Sequence, residues 1–268
     1  AYALVIPEEI DGYKVEKIRY GAFKGHNDIT TVVIPDSVVE IELHSFSECR
    51  SLSSVKLSSN LKTLEYGAFY NCDKLTSIMI PKSLEKATIG STVGGDGPFS
   101  DCDNLKNVTF EAGTTRIAQN LFGDCKGLEK IEIPDTVQSI ENRAFYKCAS
   151  LTEVKIGNGV TKIGYCAFED CSKLTTVVIP DSVVEIELHS FSECRSLSSV
   201  KLSSNLKTLE YGAFYNCDKL TSIMIPKSLE KATIGSTVGG DGPFSDCDNL
   251  KNVTFEAGTT RIAQNLFG

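Results

Sequence analysis

The residues best able to do chemistry are ten cysteines, three histidines and one glycine-rich acidic stretch that occurs twice. Nine cysteines (Cys49, Cys72, Cys102, Cys125, Cys148, Cys171, Cys194, Cys217 and Cys247) each follow a phenylalanine by three positions. A cysteine-rich chain invites a disulfide framework. Yet equivalent residues on stacked coils would keep their Cβ atoms roughly 4.8 Å apart, beyond the 3.5–4.5 Å of a bridge. The expectation is therefore a column of buried free thiols acting as small apolar groups. Cys166 stands outside the series, where other repeats carry Gly21, Gly67 and Arg143. It is expected to be exposed, as a tolerated substitution. No C-x-x-C pair or histidine cluster offers a metal site. His44 and His189 are copies of each other in a variable position two before a phenylalanine, so they read as surface residues. "STVGGDG" (91–97, again at 236–242) lacks the lysine and Ser/Thr of a phosphate-binding loop and reads as a protruding flexible loop. The chemistry expected is thus none: no catalytic residues, no cofactor and no metal.

What positions these residues is a repeat. Phenylalanines fall at 23, 46, 69, 99, 122, 145, 168, 191, 214, 244 and 267, in steps of 23 with two steps of 30. One unit runs Cys, two polar residues, Leu, two polar, Val, any, Ile, Pro. Leu174, Val177 and Ile179 carry the alternation of a strand with one buried face. Pro180 ends ladder pairing, because proline has no N–H to donate. Val183 and Ile186 return to the interior, and Phe191 closes the unit as an apolar plug. One coil cannot bury its own apolar side, so coils must stack, with strands in a parallel ladder roughly 4.8 Å apart. Residues 30–123 recur without a substitution as 175–268, an offset of five units of 23 plus one of 30. A stacked array tolerates such copying, since each coil touches only its neighbours.

"IPDTVQSIENRAFYKCASL" (133–151) and "IGNGVTKIGYCAFEDCSKL" (156–174) resemble the 23-residue I-P-x-S-V-x-x-I-x-x-x-A-F-x-x-C-x-x-L pattern of BspA-type leucine-rich repeats. So do "LSSNLKTLEYGAFYNCDKL" (57–75) and its copy at 202–220. The opening "LVIPEEIDGYKVEKIRYGAFKG" is similar to a first coil with two extra residues before Val15, and His26 replaces the cysteine there. The pattern lapses in "ATIGSTVGGDGPF" and "FEAGTTRIAQNLF". The resemblance implies one leucine-rich-repeat solenoid over 1–268: a β-rich α/β right-handed superhelix of about eleven coils, with short helical turns at the A-F-x-x-C segments. Its parts are an N-terminal coil (1–26), identical copies (30–123 and 175–268) and intervening coils (124–174). It also implies a bacterial cell-surface or secreted location and adhesion to an extracellular or host protein.

The working surface is expected on the open face of the ladder, at the residues between the buried ones. The binding candidates are Thr31, Val33, Lys56, Met79 and Thr109, with copies Thr176, Val178, Lys201, Met224 and Thr254. In the intervening coils Lys130 should stand beside Glu153 and Glu132 beside Lys155, opposite charges that favour correct register. Aromatic anchors are absent from this face, which suits a weak or multivalent binder of a repetitive protein. The rival role is a structural spacer holding another domain off the cell. A net charge of −8 speaks against nonspecific nucleic-acid binding, and no apolar run reaches membrane-spanning length. No signal peptide is visible, and no polar capping coil follows Gly268. A fragment of a longer chain is expected, its cut edge prone to end-to-end self-association.

Overall fold

The computed structural model describes residues 1–88, 96–233, 235 and 240–268. The chain divides into two compact units, Ala1–Glu129 and Lys130–Gly268. The expected loop at 91–97 and 236–242 falls mostly outside the described residues.

Both units are built from the same coil. Its first strand belongs to a parallel ladder: Tyr2–Val5, Ile29–Val33 and Ser54–Lys56 form one sheet of the first unit, and Ser77–Ile80 pairs with Asn107–Phe110. In the second unit Lys130–Glu132, Glu153–Lys155, Thr176–Val178 and Ser199–Lys201 form one sheet, and Ser222–Ile225 pairs with Asn252–Phe255. Pairing is in register by repeat position, Thr31 opposite Ser54 and Thr176 opposite Ser199. Past the turn, two-residue strands such as Glu40–Ile41 and Thr63–Leu64 form a second parallel ladder. Lys86 still pairs with Thr63, one 23-residue step away, whereas Ser77 pairs with Asn107 at a 30-residue step. The extra residues of the long coil therefore enter after Ala87 and leave the first ladder in register, while the second ladder is interrupted, with Lys86–Ala87 ending one sheet and Arg116–Ile117 beginning another.

Alternation places the apolar residues inside. Leu174, Val177, Ile179, Val183, Ile186 and Phe191 are all buried. The phenylalanines of each unit stack with centroids 5.1–5.8 Å apart and near-parallel planes, a separation that fits offset stacking. The aspartate of the I-P-D turn is explained by the next coil: Ser59 N–H donates to Asp36 and Ser204 N–H to Asp181, each at 2.9 Å. These bonds, first among their causes, hold both carboxyls below the usual carboxylate range.

Two expectations are corrected. Among the described residues there is no helix, and the A-F-x-x-C segments are successions of turns. The reason lies in the backbone, which enters the left-handed region two residues before and two after the phenylalanine. Examples are His44 (φ 55°) and Glu48 (φ 61°) around Phe46, and Arg143 (φ 57°) and Lys147 (φ 57°) around Phe145. No run of right-handed φ survives long enough for a helix. Glycine or asparagine occupies the earlier site in several coils (Gly21, Gly67, Asn120, Gly212, Asn265), as that geometry favours. The coil count also falls. Five first-ladder strands lie in the first unit and six in the second, about ten full turns rather than eleven coils.

The opening coil adds a detail of its own. The two extra residues there, Asp11 and Gly12, form the tight turn of an antiparallel hairpin between Glu9–Ile10 and Tyr13–Lys14. Both have positive φ, 51° and 84°, the geometry that favours an Asp-Gly pair.

Candidate functional site

All ten cysteines are free and buried. The thiols have a structural task that spacing alone did not show. Cys49 donates to the Phe23 carbonyl at 3.1 Å, Cys72 to Phe46 at 3.3 Å, and Cys194 to Phe168 at 3.2 Å. Each thiol thus adds a second donor to a carbonyl of the preceding coil that also accepts the backbone N–H three residues further on. Burial pushes the Cys49 thiol up to about 11, so the nucleophilic thiolate is suppressed.

Cys166 is not exposed but buried, at 1% of its surface. Side chains at its repeat position lie along the stack rather than outward. The His44 ring occupies space 2.6 Å from where a Cβ on Gly67 would stand, and Arg143 lies 5.6 Å from the Tyr165 ring. A side chain as small as a thiol is covered there. Burial first, and then Glu169 beside it, raise its pKa. His44 and His189 are likewise half-buried rather than free surface groups, whereas His26 is exposed. His44 meets Tyr66 edge-on at 5.0 Å and His189 meets Tyr211 at 4.8 Å. Desolvation, followed by the charge of Lys24, lowers the His44 pKa.

The outer side of the first ladder is solvent-facing. Val33, Lys56, Met79, Thr109, Thr176, Val178, Lys201, Met224 and Thr254 are exposed, and Thr31 is half-buried. Met79 and Met224 stand out as large apolar groups left more than half accessible, at 56% and 52%. The units carry these residues separately: Thr31 to Thr109 on the first, Thr176 to Thr254 on the second. Two residues of the first unit were missed, Ala3 and Val5, which stand opposite Thr31 and Val33. Their signal was "LVIP" at 4–7, echoing "VVIP" at 32–35.

On the second unit Lys130 pairs with Glu153 at 3.1 Å and Lys155 with Glu132 at 2.9 Å, in the cross-strand register read from the repeat. Beside them lies an open depression of about 680 Å³, to which Thr176, Val178 and Lys201 contribute. Asn158 also lines it, from the Gly157-Asn158-Gly159 segment that replaces the proline turn and packs closely on the preceding coil. A Cβ on Gly157 would stand 2.5 Å from the carbonyl oxygens of Ile133 and Pro134, and one on Gly159 would collide with Asp135 O. Only glycine lets the chain lie this low. The first unit has a smaller depression of about 260 Å³ that includes Lys56 and Met79.

Stacked parallel coils with a bare ladder face define a leucine-rich-repeat scaffold. The family described as BspA type leucine rich repeat region (6 copies) matches residues 16–126, 86–181, 115–238 and 161–268, and the chain belongs to that family. No curated protein matches it by sequence. Among solved structures, a leucine-rich repeat protein from Bacteroides ovatus is 22% identical over 95% of this chain and 81% of its own, with TM-score 0.47. The leucine-rich repeat protein of T. pallidum is 26% identical over 73% and 77%, with TM-score 0.46. The pneumococcal vaccine antigen PcpA is 18% identical over 99% and 81%, with TM-score 0.49.

Proposed function

We propose that this chain is a non-enzymatic protein-binding module, secreted or displayed on a bacterial surface, that uses the open ladder face in adhesion. The observation that carries the reading is the exposure of Met79 and Met224 at the same place in two sequence-identical faces, one on each unit. Large apolar side chains held out on rigid strands suit contact with a partner. The thiols, by contrast, bond carbonyls, and His44 and His189 pack on tyrosine rings. Thr109 stands opposite Met79 and Thr254 opposite Met224, Lys56 shares a depression with Met79, and Thr31 and Val33, with the copies Thr176, Val178 and Lys201, extend each face along the ladder. Membership in the BspA-type family supports the surface location.

Two equal weak sites on one chain gain avidity of roughly 10²–10⁴ on a repetitive target. The test is surface binding of the full chain to immobilised extracellular matrix and serum proteins, beside Met79→Asp, Met224→Asp and the double variant. Either single change should weaken retention by at least about tenfold through lost avidity, and the double change should abolish it. Retention untouched by the double change, or absent from the parent chain, would favour the spacer role.

A further inference from the structure

The charges of the ladder face are not balanced. In the second unit, Lys130, Glu153, Lys155 and Glu132 neutralise one another in two ion pairs. Among the described residues Lys201 has no carboxylate within salt-bridge distance, and neither does Lys56 on the first unit. The nearby Asp181 and Asp36 carboxylates are engaged by the backbone N–H groups of Ser204 and Ser59. Each face therefore shows one cation outside any ion pair, on a chain whose net charge is −8, although Lys56 and Lys201 also act at longer range on Asp36 and Asp181. Each of these lysines is also framed by exposed apolar groups. Val178 pairs opposite Lys201 and Val33 opposite Lys56, and Met224 and Met79 stand on the following strands.

The geometry points to an acidic occupant: an extended segment of another protein whose carboxylate seats on Lys201 or Lys56, with apolar side chains on the flanking valine and methionine. This rests on the ladder face being the binding surface and adds the chemistry of what it binds. A chain with an excess of acid elsewhere repels such a segment from its other surfaces, so the charge directs it to this face. The apolar frame then supplies the desolvation that an exposed ion pair lacks.

The probe is a labelled twelve-residue peptide of three Val-Ser-Asp-Ser repeats, which places valine and aspartate alternately on one side of an extended strand. Its control carries lysine for aspartate. Fluorescence anisotropy with the full chain should show saturable binding of the acidic peptide and binding at least about tenfold weaker for the lysine peptide. Replacing both cations (Lys56→Glu with Lys201→Glu) should cost about tenfold, as should about 0.5 M salt, where the Debye length falls to roughly 4 Å. No binding of the acidic peptide, equal binding of both peptides, or indifference to the lysine substitutions overturns the inference. The double variant Met79→Ser with Met224→Ser separates this from failure of the surface itself. If it abolishes binding of both peptides while the lysine changes do nothing, the face stands and the acidic assignment falls. If neither pair of changes matters, both fall.

Discussion

At the scale of single residues, the cysteine column shows how one side chain meets two demands. A thiol is small and apolar enough for the interior, yet it donates to the phenylalanine carbonyl of the coil before. Cys194→Ala should therefore destabilise the fold by about 1–2 kcal/mol, from the small void left by the sulfur and the loss of one of the two donors to the Phe168 carbonyl, the Cys171 N–H remaining, which equilibrium denaturation would read. In the native chain at pH 8 a disulfide thiol reagent should label none of the ten cysteines, and all of them in denaturant; rapid native labelling of Cys166 would refute its burial. Asp124 makes a different case. Desolvation raises its carboxyl to about 6, despite Lys126 at 3.4 Å, whose ammonium also binds Asp101 at 2.9 Å. The folded chain holds that proton more tightly than the unfolded one. Its stabilising contribution is present below the ordinary carboxyl value and is lost as pH rises through 6. Allowing for partial solvent screening, Asp124→Asn should gain about 1–2 kcal/mol over the parent at pH 8 and little at pH 4, measured by thermal melts across that range.

At the scale of the coil, the left-handed positions and the glycines decide the path of the chain. The short helical turns that the resemblance implied for the A-F-x-x-C segments are absent because φ changes sign on either side of the phenylalanine in the 23-residue coils, as at His44 and Glu48 around Phe46. The clue lay in plain sight, since Gly21, Gly67 and Gly212 share one repeat position with Asn120 and Asn265. His44, Arg143 and Cys166 at that position obscured it. The intervening coil at 156–160 has its own requirement. Gly159→Ala would drive a Cβ into the Asp135 carbonyl, backbone against backbone, where neither side can yield cheaply. A loss of about 1–3 kcal/mol is expected from overpacking, seen as a lower unfolding midpoint. Gly113→Ala makes the instructive comparison. Its neighbourhood is open, with only Lys82 within reach, so any cost there arises from its φ of +86° rather than from collision.

At the scale of the whole molecule, the duplication matters more than any single contact. Residues 30–123 lie in the first unit and 175–268 in the second, so each unit has its own copy of the ladder face. Copying was tolerable because the first ladder stays in register through 23- and 30-residue coils alike, Thr31 opposite Ser54 and Ser77 opposite Asn107. The single and double methionine substitutions test function at this scale. A drop in retention shared by the two single variants reads as two sites acting together, whereas loss from only one reads as a single working face.

The sequence by itself determined the coil: its strand, its proline turn, its phenylalanine plug, the inward set of each ladder strand and the facing charges of Lys130 and Glu153. These follow from period and alternation, which depend on local geometry and on the need to bury one face. The face was legible too, except for Ala3 and Val5, whose coil is lengthened by the opening hairpin and so departs from the repeat spacing. Only the tertiary structure decided that Cys166 is covered, that His44 and His189 rest on tyrosine rings, and that the thiols serve carbonyls of the coil before. Each of these depends on where one coil lies against the next. That relation is set by left-handed backbone positions and close glycine contacts, not by the hydrophobic pattern within a coil.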